Sequence, residues 1–464
     1  MANDKTSANA WDSVGLDSAD SVNAKDSAEF VNLANLDSAN STNRNGVDYV
    51  NIKDSADSVA DLAESAIKNS PDSAPDLILK NPLDMHIHLR EGEVLEAVLP
   101  FSARYFSSAL AMPNLKTPLL NTNLVMSYKA QIEGVLKTQN LDSFKPTLSL
   151  YVSENLDKNE LLEAQKNGIR ILKLYPKGAT TGSESGVSEI LNQKIMDIFE
   201  MAEEMGFILS IHGESNGFCM EREFEFGAVF AELARTFPRM KIIMEHLSDR
   251  RSIPLLERCP NLFATLTLHH ISMSLDDVLG AGLNPHFFCK PMLKTPQDRD
   301  ALLELALNAH PKVSFGSDSA PHLESAKLAQ NGSAGIFSAP ILIPRLCEIF
   351  EANGKLENLQ KFISDNAIKI YDLAVVGDSV DFKDSVAFAD SGDFKDLSNL
   401  GKSRQDSAIS SKDSTNFSDY AKIPAKTIKL IKGNFKNLDS IKTRFGHIIP
   451  LLAGANLSWK IQEK

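Results

Sequence analysis

A regular alternation of short apolar runs with helical segments is the feature that most constrains the fold of this chain. Eight such runs occur between residues 84 and 319, and most are separated by segments with helical spacing, such as 187–206 and 221–237. Strands that alternate with helices form right-handed crossovers, which produce a parallel sheet. The eight runs are DMHIHL, SALAMP, TLSLYV, GIRILKLYP, ILSIHGE, KIIMEH, LFATLTL and VSFGSDS.

The polar residues at the strand ends separate the two architectures that fit this alternation, a doubly wound sheet and a (β/α)8 barrel. In a barrel the strand ends converge on one mouth, whereas in an open sheet the outer ends lie far apart. The barrel explains the whole set, so we predict an α/β fold of the (β/α)8 TIM-barrel type. The residues concerned are His86, His88, Asn114, Lys173, Tyr175, His212, His246 and Asp318.

Two segments rich in Asp-Ser units interrupt this pattern. Asp and Ser compete with regular backbone pairing, and large apolar residues are sparse in both segments. We predict a disordered, acidic, low-complexity tail over residues 1–76. The barrel domain is predicted over 77–464, interrupted by a low-complexity insertion at about 377–420.

Composition indicates a cytoplasmic protein. The net charge is −13, but residues 1–80 hold 14 acidic against 6 basic residues, so the acidity lies mostly in the tail and no nucleic-acid partner is expected. No apolar run approaches the ~18 residues of a membrane span, and the N-terminus lacks a secretory signal. The four cysteines show no CxxC spacing, which argues against disulfides and a structural zinc knuckle.

The stretch LDMHIHLREG places three polar residues at alternate positions of a strand. Successive side chains of a strand point to opposite faces, so these residues are expected to share one face. On that face lie His86, His88 and Arg90, and on the other Met85, Ile87 and Leu89.

Four histidines at the ends of three strands, together with Asp318, predict a metal centre. Neutral imidazole is the commonest zinc ligand, and a catalytic site adds carboxylate oxygen and keeps one position open. These five residues suffice for one complete site or for two incomplete ones.

Lys173 bears on that choice because an ammonium at the end of an apolar strand is costly to bury. One interpretation is an internal salt bridge. The other is that the amine reacts with carbon dioxide to give a carbamate, whose two oxygens bridge a pair of metals. The residues alone leave both interpretations open.

Seven motifs occur in order along the chain: HIHLREG, AMPN, ILKLYPKGATT, IHGE, EH, GSDSAPH and AGIFSAP. Together they resemble the motifs of dihydroorotase, of the compact bacterial class II type in the metal-dependent amidohydrolase superfamily. The resemblance runs from about residue 79 to the C-terminal PLLAGANLSWKIQ and omits only the tail and the insertion. It implies zinc-dependent, reversible cyclisation of N-carbamoyl-L-aspartate to (S)-dihydroorotate, the third step of pyrimidine synthesis.

The resemblance also implies the cofactor and the residues that hold it. Two Zn²⁺ ions per subunit are expected, with Asp318 as the catalytic residue that transfers the proton. His86, His88 and Asp318 are implied to bind one ion, His212 and His246 the other, and Lys173, modified to N6-carboxylysine, to bridge them with a hydroxide.

Substrate contacts are implied in the same way. A guanidinium grips a carboxylate bidentately, which favours Arg90 for the substrate carboxylate. The resemblance adds Asn114 and His322 at that carboxylate, Thr180 and Thr181 on a mobile loop, and backbone groups near Phe287 and Ala334 at the ring edge. A homodimer that acts on a small molecule is expected.

Two rival functions remain open. One is a related cyclic-amide hydrolase of the hydantoinase or allantoinase kind, which has no need for a carboxylate site. The other is an inactive barrel kept as an assembly partner, for which a lost ligand would be the mark. The sequence also leaves open whether His269 or His270 reaches the mouth, and Glu214 and Glu245 are candidates for orienting the neighbouring histidines.

Overall fold

The computed structural model describes residues 76–376 and 421–462. The predicted tail up to residue 75 and the predicted insertion over 377–420 lie outside these ranges. None of the helices in the described ranges combines the length and the hydropathy that crossing a membrane requires.

The strands follow the predicted runs closely. In chain order they are β1 (Leu77–Lys80), β2 (Leu83–Ile87), β3 (Ser108–Ala111), β4 (Lys145–Tyr151), β5 (Ile171–Leu174), β6 (Ile208–Ile211), β7 (Ile242–Met244), β8 (Leu262–Leu266), β9 (Val313–Phe315), β10 (Ala374–Val376), β11 (Lys422–Pro424), β12 (Thr427–Lys436), β13 (Ile441–Thr443), β14 (Gly446–Ile448) and β15 (Asn456–Ile461).

Helices occupy most of the connections between these strands. The α-helices of the described ranges span Gly92–Ala103, Thr122–Thr138, Lys158–Lys166, Gln193–Glu204, Arg222–Thr236, Pro254–Arg258, Leu268–Ser272, Leu275–Leu279, Pro296–Leu307, Glu324–Lys327, Leu342–Ala352 and Asn366–Ile370. Shorter 3-10 turns span Arg250–Ser252, Pro285–Phe287, Ala339–Ile341 and Leu356–Asn358, and Lys361–Asp365 forms a π turn.

Strands β2 to β9 form one eight-stranded sheet in which each strand pairs in parallel with the next. Two hydrogen bonds close this sheet where β9 meets β2. The Asp318 amide donates to the His86 carbonyl at 2.8 Å, and the His88 amide donates to the Ser319 carbonyl at 3.1 Å. The predicted (β/α)8 barrel is confirmed, with each of the eight runs as one strand.

The barrel interior changes from apolar to polar along the strands. Its lower layer is a buried cluster closed at the base by Tyr371 and Ile423. Side chains two residues further along a strand point the same way. Lys173, Ser210 and Glu245 therefore lie directly above three apolar residues of that cluster, which are Ile171, Ile208 and Ile243. The fold thus delivers polar groups to the C-terminal ends of the strands.

Strand β2 departs from the predicted alternation. Met85 packs in the interior cluster, whereas Ile87 and Leu89 pack in the cluster between strands and helices. The pairing of β2 with β3 shifts register between Asp84 and Ile87, and such a shift changes which face successive residues occupy. The expectation that Met85 shares a face with Ile87 and Leu89 was therefore wrong.

The helical segment predicted over 187–206 is shorter in the structure, because it begins at Gln193. Val187 instead forms a parallel bridge with Pro176, and the Asn192 side chain caps the helix by accepting a hydrogen bond from the Ile195 amide. The segment before the helix thus belongs to the loop that follows β5.

A second sheet joins the two ends of the described chain. Strand β12 pairs antiparallel with β1 on one side and with β15 on the other. Strands β10 and β11, which flank the gap at 377–420, pair in parallel with Val376 opposite Pro424. The chain therefore leaves and re-enters the described structure on neighbouring strands.

Phe362 offers a test of the packing that supports β9. Its ring is fully buried, with centroids 5.8 Å from the Phe315 ring and 5.7 Å from the Phe350 ring. We expect Phe362→Ala to lower the free energy of unfolding by about 3–5 kcal/mol, because it removes these contacts and leaves a cavity. Urea titration measures this change. Phe218→Ala, at a position 68% exposed, is the control, and similar losses in both variants would contradict the packing argument.

Candidate active site

The strand ends bring the predicted metal ligands together as two adjoining groups. Asp318 Oδ1 lies 3.5 Å from His86 Nε2 and 3.0 Å from His88 Nε2. In the second group, His212 Nδ1 lies 3.1 Å from His246 Nε2. The His86 and His246 ring centroids are 4.9 Å apart, so the two groups form one cluster.

Lys173 lies beneath this cluster and is fully buried. Its Nζ has no hydrogen-bond partner among the described residues and stands 5.1 Å from the centroid of the Tyr175 ring. Burial lowers the pKa of Lys173 to about 8, against the opposing effect of nearby carboxylates. The internal salt bridge considered above is absent from the described residues.

Two buried glutamates fix the rings of two ligand histidines. Glu245 Oε2 lies 2.7 Å from His86 Nδ1, and Glu214 Oε2 lies 2.7 Å from His212 Nε2. A carboxylate only accepts hydrogen bonds when ionised, so each glutamate selects the tautomer with the proton on the facing nitrogen. The other nitrogens, His86 Nε2 and His212 Nδ1, are then free of protons and face the cluster. Both glutamates therefore orient histidines that are predicted to bind metal.

Three residues of the site have backbone in the left-handed region, where side chains other than glycine are uncommon. Hydrogen bonds hold each of them. The Tyr128 hydroxyl donates to the Arg90 carbonyl at 2.7 Å, and the His246 amide donates to the Thr265 hydroxyl at 2.7 Å. The Asp318 amide donates to the His86 carbonyl where β9 meets β2. The φ angles are 59° at Arg90, 40° at His246 and 44° at Asp318.

Asp84 supports the site from within β2, and the sequence reasoning did not identify it. Its carboxylate accepts hydrogen bonds from the His86 amide at 3.2 Å, the Ser317 amide at 2.7 Å and the Ser317 hydroxyl at 2.6 Å. Burial raises the pKa of Asp84 to about 7, although the bonds from Ser317 lower it. Asp84 thus ties β2 to the segment that carries Asp318.

A cavity opens above the cluster, and most of the predicted substrate-binding residues line it. Asn114 spans part of its wall, because its Nδ2 donates to the Thr181 carbonyl at 3.0 Å and its Oδ1 accepts the Tyr175 hydroxyl at 2.9 Å. The lining residues are His86, His88, Arg90, Asn114, Tyr175, Thr180, Thr181, His212, His246, Lys290, Asp318, Ala320, Ala334 and Gly335.

Two of the predicted substrate residues are not among the lining residues. His322 lies behind Arg90, with its Nε2 2.9 Å from Arg90 Nη2 and 2.9 Å from the Ala334 carbonyl oxygen. Phe287 belongs to the 3-10 turn Pro285–Phe287, and neither its side chain nor its backbone lines the cavity.

Lys327 and Lys290 hold the rim of the cavity and were also missed. Lys327 Nζ donates to the carbonyls of Phe288, Ser333 and Gly335 at 2.9, 3.0 and 2.7 Å. Lys290 Nζ donates to the Ala179 carbonyl at 3.0 Å. Both lysines donate hydrogen bonds to loop carbonyls that only the tertiary fold brings near them. No local sequence pattern therefore predicts their role.

Comparison with known proteins agrees with this geometry. Residues 159–373 match the amidohydrolase family. The dihydroorotase of Helicobacter hepaticus is 54% identical over 388 residues, which cover 84% of this chain and 98% of that protein.

Solved structures agree as well. The dihydroorotase of Campylobacter jejuni superposes with a TM-score of 0.70 at 36% identity, over 85% of this chain and 100% of that one. The Saccharomyces cerevisiae dihydroorotase, solved in complex with 5-fluoroorotic acid, gives a TM-score of 0.68 at 30% identity, over 83% and 98% of the two chains.

The parallel barrel with histidines, an aspartate and a buried lysine at its mouth, together with these relatives, identifies a metal-dependent cyclic amide hydrolase. Within that class, the chain belongs to the dihydroorotase family.

The family implies a metal cofactor, and the described residues fit one. Ligand atoms of His86, His88 and Asp318 lie within 4.8 Å of one another. Two buried nitrogens of the cluster, Lys173 Nζ and His246 Nδ1, have no hydrogen-bond partner in the described ranges. Buried polar atoms are rarely left unpaired, so the two nitrogens indicate that a group bound at the cluster supplies the missing partners.

The Glu245–His86 contact predicts the effect of one substitution on metal affinity. Glu245→Gln keeps the shape of the side chain but removes the charge that orients His86, so metal affinity should fall about 10- to 100-fold. Chelator competition followed by metal counting measures this change. Glu200→Gln, at an exposed position, is the matched control, and equal affinity in both variants would show that Glu245 does not orient the ligand.

Proposed function

We propose that this chain catalyses the reversible cyclisation of N-carbamoyl-L-aspartate to (S)-dihydroorotate and water on a two-zinc centre at the barrel mouth. Membership of the dihydroorotase family supports the reaction, which is a step of pyrimidine biosynthesis. The observation that carries the two-metal assignment is the pair of adjoining ligand groups above a buried, unpartnered Lys173.

In this proposal the two ligand groups hold one Zn²⁺ ion each. His86, His88 and Asp318 hold the first ion, because their ligand atoms already lie within 4.8 Å of one another. His212 and His246 hold the second. Imidazole nitrogen and carboxylate oxygen are the ligands that zinc takes in catalytic sites.

Carboxylated Lys173 is the proposed bridge between the two groups. The neutral amine forms a bond from Nζ to the carbon of carbon dioxide and releases one proton, which gives an anionic carbamate with two oxygens. The buried amine of Lys173, which has no hydrogen-bond partner among the described residues, thus becomes an anionic group that can bind both cations. The free-energy cost of a buried polar atom without a partner is then removed.

When bound, the two ions supply Lewis-acid chemistry, because they polarise the ring carbonyl and lower the pKa of water. Asp318 has the position of a general base and acid. In the hydrolytic direction its carboxylate accepts a proton from the attacking water as the C–O bond forms, and it returns that proton to the ring nitrogen as the C–N bond breaks. Cyclisation runs through the same steps in reverse.

Arg90 is the proposed anchor for the substrate carboxylate. It lines the cavity on the same strand end as His86 and His88, and its Nε and Nη2 are held by Pro321 and His322. A guanidinium fixed in this way recognises a carboxylate with little loss of side-chain freedom. Asn114, which lines the cavity, is proposed to complete the carboxylate site, and His322 is proposed to act there through Arg90, whose Nη2 it contacts.

Thr180 and Thr181 are proposed to close over the substrate. Both line the cavity, and Thr181 is already tied to Asn114. Gly182 has φ +73° and approaches the Asn114 carbonyl so closely that an added Cβ would lie 3.1 Å from its oxygen. Closure of such a loop orders the reactant and excludes water. The backbone at Ala334, which lines the cavity, is proposed to bond the ring edge, whereas Phe287 lies outside the cavity lining.

The rival functions have less support. A hydantoin lacks the carboxylate that Arg90 would pair, and an inactive barrel would be expected to have lost a ligand, whereas all six predicted ligands converge. The homodimer and the cytoplasmic location stay predictions from the sequence.

Substrate selectivity tests the proposed function. The purified full-length protein should contain at least two zinc ions per chain and hydrolyse dihydroorotate far faster than hydantoin or allantoin. Metal counting together with the three assays measures this. A fully metallated protein that turns over hydantoin but not dihydroorotate would support the rival hydrolase, and one that turns over none would support the inactive barrel.

Lys173→Ala tests the bridge separately. Without the carbamate the two ions lose a shared anionic ligand, so we expect loss of bound metal and of nearly all turnover, with an unchanged circular dichroism spectrum. Lys177→Ala, at an exposed position four residues on, is the control. Full metal content and activity in the Lys173 variant would rule out the bridge.

A further inference from the structure

A second cluster of metal-binding side chains lies behind the barrel mouth. His269 and His270 belong to the short helix Leu268–Ser272 that follows β8, and Cys289 follows the turn Pro285–Phe287. All three are at most 2% exposed, and one ligand atom from each lies within 4.8 Å of the others. None of the three lines the active-site cavity, although His269 interacts electrostatically with His86 and His270 with Asp318.

Two members of the cluster have partners. His270 Nδ1 lies 2.9 Å from the Thr267 hydroxyl, and His270 Nε2 lies 3.1 Å from the Pro291 carbonyl oxygen. The Cys289 thiol donates to that same carbonyl at 3.2 Å. Pro291 therefore fixes His270 and Cys289 relative to each other.

His269 differs, because neither of its ring nitrogens has a hydrogen-bond partner within the described ranges. Its ring centroid stands 4.6 Å from that of His270. A buried polar group without a partner costs about 1–3 kcal/mol, so two such nitrogens on one ring indicate that the fold supplies a partner from outside the protein. Burial keeps the pKa of His269 well below its usual range, which leaves a neutral ring with a free lone pair.

From this geometry we infer that His269, His270 and Cys289 form a third metal site, for a thiophilic divalent cation of the zinc type. Two imidazoles and one thiolate are ligands that Zn²⁺, Co²⁺ and Cd²⁺ accept, whereas Mg²⁺ and Ca²⁺ prefer oxygen. Binding breaks the S–H bond of Cys289, forms the sulfur–metal bond and releases one proton to solvent, while the Cys289–Pro291 hydrogen bond and one of the two hydrogen bonds of the His270 ring are given up.

The position of this site gives it a structural role at the cavity rim. Cys289 lies between Phe288 and Lys290; the Phe288 carbonyl accepts hydrogen bonds from the Gly335 amide and from Lys327, both at 2.9 Å, and Lys290 lines the cavity. A metal on Cys289 joins this segment to the helix after β8. The site therefore pins the loop that borders the substrate, without contacting the substrate.

Cobalt is the probe for this site. A thiolate bound to Co²⁺ gives a charge-transfer band in the near ultraviolet that histidine and carboxylate ligands do not give. No cysteine lines the active-site cavity, so the band reports on a thiolate outside that cavity, and the substitutions below assign it to Cys289. The full-length enzyme, reconstituted with Co²⁺ in place of zinc, should show this band and hold one more metal ion per chain than the two proposed for the mouth.

Substitutions assign the band to its ligands. Cys289→Ala should abolish the band and lower the metal content by one ion per chain, with Cys289→Ser as a second variant should the first fail to fold. His269→Gln should weaken the band, because it replaces a ring ligand with an amide. Cys347→Ala is the matched control, since Cys347 is also buried but lies outside the cluster, and it should keep the full band.

Two outcomes would overturn the inference. One is a cobalt enzyme whose active-site metal positions are filled but which shows no thiolate-to-cobalt band. The partner of His269 would then be a buried water molecule instead of a metal ion. The other is a band that survives in the Cys289 variants. Neither readout depends on turnover of dihydroorotate, so failure here is distinguishable from failure of the proposed function.

Discussion

The Glu245 carboxylate is the group on which the polar interior of the barrel depends. It stands at the end of β7 and binds His86 from β2, the Ser210 hydroxyl from β6 and the Thr265 hydroxyl from β8. One buried anion thus links four strands at the level where the interior changes from apolar to polar. A buried, ionised carboxylate is stable only when hydrogen bonds surround it. The same hydrogen bonds that stabilise Glu245 therefore also fix the position of His86.

The backbone around the cluster shows the same interdependence. Asp318 has a left-handed backbone conformation, and its amide donates to the His86 carbonyl between β9 and β2. Asp84 on β2 accepts hydrogen bonds from the amides of His86 and Ser317 at the same place. The last contact that completes the barrel therefore also places Asp318, a proposed metal ligand. Local strain of about 1–3 kcal/mol per residue is sustained here because several hydrogen bonds determine the position at once.

Much of this arrangement is readable from the sequence, because strand runs and the polar residues that end them are local patterns. The eight runs predicted the barrel, and a barrel brings strand ends together, so the convergence of His212, His246 and Asp318 followed from topology. What the sequence concealed depends on pairing between distant segments. The register shift that turns Met85 inward is set by β3, and the grip of Lys327 on the rim is set by carbonyls that the fold brings to it. The C-terminal sheet escaped prediction for the same reason.

The parallel pairing of β10 with β11 has a consequence for how chains of this kind change in length. The two strands hold both ends of the connection across 377–420 in place, with Ala374 opposite Lys422 and Val376 opposite Pro424. A parallel pair needs a connection of roughly a dozen residues or more but sets no upper bound on it. Residues can thus be gained or lost there over evolutionary time, or a peptide tag inserted by an engineer, while the catalytic mouth at the opposite end of the barrel keeps its geometry.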